Sequence, residues 1–268
     1  MIDSDRRTFL AGVRKLGSRV QLGLNKLRTP QSGPDQAQEI QMQLLPRETP
    51  QLAGFQIACA WQPARSVSGD YFDVLPLSED QAGLCIADVS GKGVAAALLM
   101  SNLQAAVKAF ARDGVSPSVL CSKLNVTLCD NIAPGRFVTL FYAVLNAGTR
   151  TLHYESAGHC LPLLVHCDGT IEVPKAASGV LGLFSHWTYS DHDLTLATGD
   201  VLVMMTKGVL DAWNSREEEF GYRRLIDSVL ASRAGGADGI RKRVMEDVTA
   251  FCNGQFRDDA SLIVVTVE

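Results

Sequence analysis

Apolar and polar positions along this chain fall into short blocks whose period changes several times. Period-two blocks predict strands over 55–61, 66–77 and 82–88, the first two as an antiparallel pair. The stretch 94–112 is rich in Ala, Leu and Met and predicts a buried helix. A second helix is expected over 116–129, with Ser116 as N-cap and Pro117 at its first position. Strands return at 136–146, 150–157 and 161–166, with Asp168-Gly169 as a hairpin turn, and again at 193–196 and 201–206. Helices fit 222–232 and 236–252, and 260–267 is a closing strand. Hairpins interrupted by paired helices predict two sheets covered by helices, not a βαβ alternation.

The first part of the chain follows another pattern. Leu10, Val13, Val20, Leu24 and Leu27 recur three or four apart, with Gly17 filling one slot. They form one helical stripe, suited to a partner, a second copy or the chain's own domain. Residues 1–30 carry seven Lys/Arg against two Asp, a local charge of +5. Such a basic amphipathic helix also suits an anionic membrane surface. Thr29 to Pro34 reads as a linker. A lead-in helix follows at 35–45, with Ile40, Leu44 and Leu45 on one side, and Pro46 ends it. Three parts are therefore expected: an extension over 1–30, a linker and lead-in helix over 31–46, and a main domain over 47–268.

Composition narrows the class. In 268 residues, 46% are hydrophobic and 20% charged, enough apolar material for a core without a disulfide or structural metal. The formal net charge of −4 leaves no footprint for non-specific nucleic-acid binding. Seven cysteines include no CxxC pair, which argues against zinc and for reduced thiols in a cytoplasm. No apolar run reaches the ~18–20 residues that span a bilayer, and the basic N-terminus lacks the apolar core of a signal peptide.

Three acidic turns carry the candidate chemistry. Asp70 and Asp73 lie in one strand pattern, three residues apart, so they face opposite sides, one toward a cleft and the other toward solvent. Asp88 ends a very apolar strand, and the turn Ser90-Gly91-Lys92-Gly93 leads from it into a helix. A carboxylate there is costly unless it meets a cation or donors. The glycines let backbone carbonyls approach a hard divalent ion, and the helix start near Gly93 favours an anion. The Gly pattern excludes a Walker loop, and no Gly-x-Ser-x-Gly elbow occurs. Asp258 and Asp259 precede the last apolar strand. Turns of this kind at strand ends assemble carboxylate clusters. Two metals about 3.5–4 Å apart would polarise a phosphoryl oxygen and acidify a bridging water.

These residues resemble a known family. The run Gln41…Leu44-Leu45-Pro46, then Ser68-Gly69-Asp70-Tyr71-Phe72-Asp73-Val74 and Ala87-Asp88-Val89-Ser90-Gly91-Lys92-Gly93-Val94-Ala95-Ala96, is similar to bacterial metal-dependent PP2C-type (PPM) serine/threonine phosphatases. The resemblance is to the branch that dephosphorylates anti-sigma-factor antagonists in partner-switching. Phe137 to Ala143, Ser156-Ala157-Gly158-His159, Gly199-Asp200-Val201-Leu202, Glu219-Phe220-Gly221 and Arg257-Asp258-Asp259-Ala260-Ser261 continue it in the family's order, over about residues 40–268. It implies an αββα sandwich of two antiparallel sheets and a phosphorylated regulatory protein as partner. It implies that Asp88 bridges two Mn²⁺ or Mg²⁺ ions, that the Val89 carbonyl ligates one, that Asp258 ligates the other, and that Asp70 acts through metal-bound water. A metal-bridging hydroxide would attack phosphoserine or phosphothreonine without a covalent phospho-enzyme.

One position departs from the family pattern. Where the family has Thr-Asp-Gly-Val, with Asp as a metal ligand, this chain has Thr206-Lys207-Gly208-Val209. A charged Lys has no lone pair to offer and repels a divalent ion, so Lys207 should disfavour the ion shared by Asp88 and Asp258. Its ammonium could sit between those carboxylates, and three readings stand open: a pseudophosphatase that binds a phosphoprotein without hydrolysing it, an engineered inactive variant, or a weakly active enzyme with one metal and Lys207 as a phosphate-binding cation; Asp211, four residues on, is a weaker candidate for a replacement carboxylate. Lys92 reads as a solvated turn lysine or a phosphate contact, and His159 as a structural hydrogen-bonding residue. His153, His166, His186 and His192 have no ligand spacing, and Trp61, Trp187 and Trp213 read as packing residues.

Overall fold

A computed structural model describes residues 33–46, 48–175 and 178–268. The expected helical extension over 1–30 lies outside the described residues. Gly33 and Pro34, read above as linker, instead open helix α1 (Gly33–Leu44).

Among the described residues, ten strands form two five-stranded antiparallel sheets. One has the order β1 (Phe55–Gln62), β10 (Ala260–Val267), β9 (Val201–Met205), β6 (Leu163–Val165), β7 (Ile171–Glu172). The other has the order β2 (Asp70–Pro76), β3 (Gln81–Val89), β4 (Val138–Asn146), β5 (Thr151–Ala157), β8 (His192–Thr195). Helices α2 (Val94–Phe110) and α3 (Pro117–Asn131) cover the second sheet. Helices α5 (Gly221–Ser232) and α6 (Gly236–Phe251) cover the first, and a single turn, α4 (Lys207–Leu210), follows β9. This is the expected αββα sandwich.

Strand periodicity explains the layering. In β10, Ile263, Val265 and Val267 join the core between the sheets, while Ala260, Leu262 and Val264 join the core under α5 and α6. In β9, Leu202 and Met204 face the sheets' interior, and Val201, Val203 and Met205 face the helices. Strands buried on both faces read as continuous apolar runs, which is why 201–206 and 260–267 stand out in the sequence.

Two expectations need correction. The strands at 55–61 and 66–77 do not pair: β1 pairs with β10 and β2 with β3, in opposite sheets. The chain between them crosses the sandwich, and regular pairing begins only at Asp70. Ile40 is largely exposed, and α1 buries Gln41 in its place, while Leu45, just past the helix end, is buried as expected. The Gln41 amide donates to the Ser68 carbonyl at 2.7 Å and accepts from the Ser68 N–H at 2.8 Å, fastening the lead-in helix to the start of β2.

The turn before β10 lies hard against α4. A Cβ added at Gly208 would collide with the backbone of Asp258 and Asp259. Backbone cannot yield as a side chain tip does, so Gly208→Ala should cost about 1–3 kcal/mol. Urea denaturation reads this directly, and an unchanged midpoint would contradict the close approach.

Candidate metal and phosphate site

The site begins with strand register. Asp70 lies directly opposite Asp88 across β2 and β3, and Asp88 lies opposite Thr139 across β3 and β4. Opposed residues of an antiparallel pair put their side chains on one face. The row continues through a hydrogen bond of 2.9 Å between Thr139 Oγ1 and His159 Nδ1.

Each member of the row has a different surrounding. Asp70 is buried beneath the cleft, where its Oδ2 accepts from Thr206 Oγ1 and from Ser261 Oγ, each at 2.7 Å. Burial, then the neighbouring Asp88, raise its pKa well above the ordinary carboxylate range. Asp88 is half-buried, and its carboxylate makes no hydrogen bond or ion pair among the described residues. Burial, Asp258 and Asp259 push its pKa up to about 6, against the opposing pull of Lys92 and Lys207. His159 is buried with a pKa lowered to about 4, so it is neutral. Its Nε2 lies 3.1 Å from the Met205 carbonyl, which only accepts. The tautomer is therefore Nε2–H, with Nδ1 accepting from Thr139. Cys160 donates to the same carbonyl, and burial with the nearby Asp70 and Asp88 pushes its thiol to about 12, so it stays protonated.

A cleft of about 490 Å³ opens above the row, lined by Asp88, Val89, Gly91, Lys92, Lys207 and Asp258 among others. The turn after β3 is pinned by Ser90, whose N–H donates to the Phe137 carbonyl at 2.9 Å and whose Oγ accepts from the Phe137 N–H at 2.8 Å. Gly91 and Gly93 have φ of 102° and 73°, which L side chains rarely adopt. Gly93 caps α2 without a side-chain hydrogen bond.

The remaining acidic residues divide by role. Asp259 accepts from the N–H groups of Ala64 at 2.7 Å and Gly69 at 2.8 Å, holding the segment that enters β2. Asp70 and Asp73 are expected to divide between cleft and solvent, yet Asp73, on the face of β2 opposite Asp70, is buried as well. It accepts from the Tyr71 hydroxyl at 2.8 Å and pairs with Lys108 of α2 at 3.3 Å. The helix layer covers the outer face of β2, leaving no solvated side for it.

The two lysines exchange their expected places. Lys207 does not sit between Asp88 and Asp258. It is 71% exposed and lies 3.8 Å from Asp211, one helical turn on, so Asp211 serves Lys207 and supplies no replacement carboxylate to the site. Lys92 is the cation inside: its Nζ lies 3.0 Å from Asp258 Oδ1 and donates to the Arg257 carbonyl at 2.7 Å. Asp258 is thereby drawn aside. Among the described residues, no three His, Cys, Asp or Glu side chains are gathered closely enough to hold an ion. The described side chains thus form no complete cage for an ion, and Asp88 with the neighbouring Val89 carbonyl is the pair that would hold one hard cation. The donor set does not fit a second ion at Asp258 and position 207. The hydroxyls of Thr206 and Ser261 and the clamp at Gln41 were not singled out by charge or spacing. A hydroxyl residue beside each apolar strand was the one available signal.

The family model described as stage II sporulation protein E (SpoIIE) matches residues 78–268. Phosphoserine phosphatase RsbU of Bacillus subtilis is 30% identical over 85% of this chain and 68% of its own. The chain spans between 40% and 68% of the lengths of the first three curated relatives. Among solved structures, the SiaA PP2C domain of Pseudomonas aeruginosa has a TM-score of 0.74 at 19% identity, covering 94% of this chain and 99% of that one. The catalytic domain of serine/threonine protein phosphatase PstP, in complex with two manganese ions, has a TM-score of 0.58 at 15% identity, covering 80% and 98%. The chain belongs to the SpoIIE family, and its fold is that of the PP2C-type phosphatase domains.

Proposed function

We propose that this chain is a divalent-cation-dependent phosphatase. Its substrate is a phosphoserine or phosphothreonine on a cytoplasmic regulatory protein of the anti-sigma-factor-antagonist class. Its turnover is held low by Lys207. The observation that carries this reading is Asp88: a half-buried carboxylate on a cleft wall, opposed by Asp70, with no protein cation touching it. RsbU is named a phosphoserine phosphatase, and PstP is seen with manganese.

In this reading Asp88 and the Val89 carbonyl hold Mn²⁺ or Mg²⁺. The bound ion supplies positive charge to a phosphoryl oxygen and acidifies water. Asp70, fixed by Thr206 and Ser261, stands behind Asp88 on the same face of the sheet. Asp259 keeps β2 in place, and the neutral His159 holds Thr139 beside the row. Lys207, at the cleft mouth, opposes the further ion that Asp258 would share. No described helix is long and apolar enough to cross a membrane.

A second reading is favoured by the Lys92–Asp258 pair and by Lys207: a phosphatase-fold module that binds its phosphoprotein without hydrolysing it. Hydrolysis of an aryl phosphate in Mn²⁺ separates the two. The native chain should turn over slowly, and Lys207→Asp should raise kcat/KM by about tenfold or more. Asp88→Asn should abolish turnover in both backgrounds. Equal, robust turnover by the native chain and Lys207→Asp would contradict the role given to Lys207. No turnover by either would favour the binding module.

The basic stripe over 1–30 is, in the same reading, a docking or self-association segment. Deleting residues 1–32 should lower the number of protomers per particle measured by light scattering or weaken partner binding; both unchanged would refute it.

A further inference from the structure

Lys92 is held in place more firmly than a turn lysine in solvent would be. It stands between two glycines of positive φ, so the backbone turns on either side of it. Its ammonium reaches across to a turn 165 residues away, where the Arg257 carbonyl accepts from it at 2.7 Å and Asp258 lies at 3.0 Å. Arg257 itself is parked elsewhere, its guanidinium 5.4 Å from the centre of the Trp213 ring. Lys92 is therefore the one protein cation that touches the acidic lining of the cleft among the described residues.

Folding does not require this pair. The two side chains are 43% and 46% exposed, and an ion pair so open to water contributes little to stability. Its effect falls on the neighbouring acidic site. A lysine that occupies Asp258 removes a carboxylate from the set available to a divalent ion. It also places a positive charge where that ion would approach, and such repulsion is strong at a few ångströms.

We propose that Lys92 is a tethered counter-ion that occupies Asp258 and competes with the divalent cation for it. This proposal rests on the reading of Asp88 and Asp258 as cation-binding carboxylates. It adds that affinity for an ion that draws on Asp258 is set by displacement of Lys92, independently of Lys207. A divalent ion taking Asp258 must first release the ammonium to water and free the Arg257 carbonyl. Lys92 is thus a positioning residue, and removing it should open the site even in a chain that does not turn over.

Mn²⁺ binding, followed by the electron paramagnetic resonance signal of the free ion, tests this without reference to activity. The chains compared are the native one, Lys92→Ala, Lys92→Gln, Lys207→Asp, and each Lys92 variant combined with Lys207→Asp. Each Lys92 substitution should tighten Mn²⁺ binding about tenfold over its parent, with the melting temperature unchanged. The gain should vanish when Asp258→Asn is also present, because the competition acts through that carboxylate. Unchanged or weaker binding in both Lys92 variants would overturn the proposal, as would a full gain that persists with Asp258→Asn. If Lys207→Asp leaves Mn²⁺ binding unchanged while the Lys92 variants tighten it, the role given to Lys207 fails and this proposal stands. The opposite pattern overturns this proposal alone.

Discussion

Two carboxylates face each other across β2 and β3 on a face shut off from most water, and the rest of the site follows from that opposition. Like charges directly opposite on a sheet repel. Proteins relieve such a pair with protons, hydrogen bonds or a cation. Asp70 takes the hydrogen-bond route through Thr206 and Ser261, which come from the facing sheet and so tie the two layers together at this point. Asp88 is left without such relief, and burial and its acidic neighbours raise its pKa to about 6. In the proposed reading a divalent ion supplies that relief.

Around this pair the scaffold is rigid for identifiable reasons. Asp259 holds the entry to β2, Gln41 clamps Ser68, Ser90 locks the turn after β3 onto β4, and Gly208 lets that corner close. None of these residues needs to touch a substrate. Each fixes a turn that carries a residue facing the cleft, and irregular turns are where a binding site would otherwise lose its geometry. The lysines act on charge and leave this geometry alone. Lys92 closes the acidic lining from within, and Lys207 stands at its mouth with Asp211.

Much of this was legible in the sequence. The strand over 260–267 matches β10 residue for residue, because a strand buried on both faces is apolar at most positions, here all but Ser261 and Thr266. Ser116 and Pro117 announced the start of α3 through cap chemistry alone. Pairing was less legible. The strands near 55 and 70 are adjacent in sequence yet lie in different sheets, and local alternation carries no record of which layer a strand joins. The expectation that one of Asp70 and Asp73 is solvated failed for the same reason, since period two gives them opposite faces without saying that α2 covers one of those faces. Motif order brought Asp70, Asp88 and Asp258 to one region. It missed that Lys92, between Gly91 and Gly93, reaches Asp258 on a turn far away in sequence.

The central claim is that Asp88 is the residue around which a divalent ion binds, and that the native lysines exclude a second ion. Anomalous scattering at the manganese edge from Mn²⁺-soaked crystals of the native chain tests it most directly. One peak beside the Asp88 carboxylate and the Val89 carbonyl, with Lys92 still on Asp258, is the predicted result. Two peaks with Lys207 turned away, or no peak at Asp88, would contradict it.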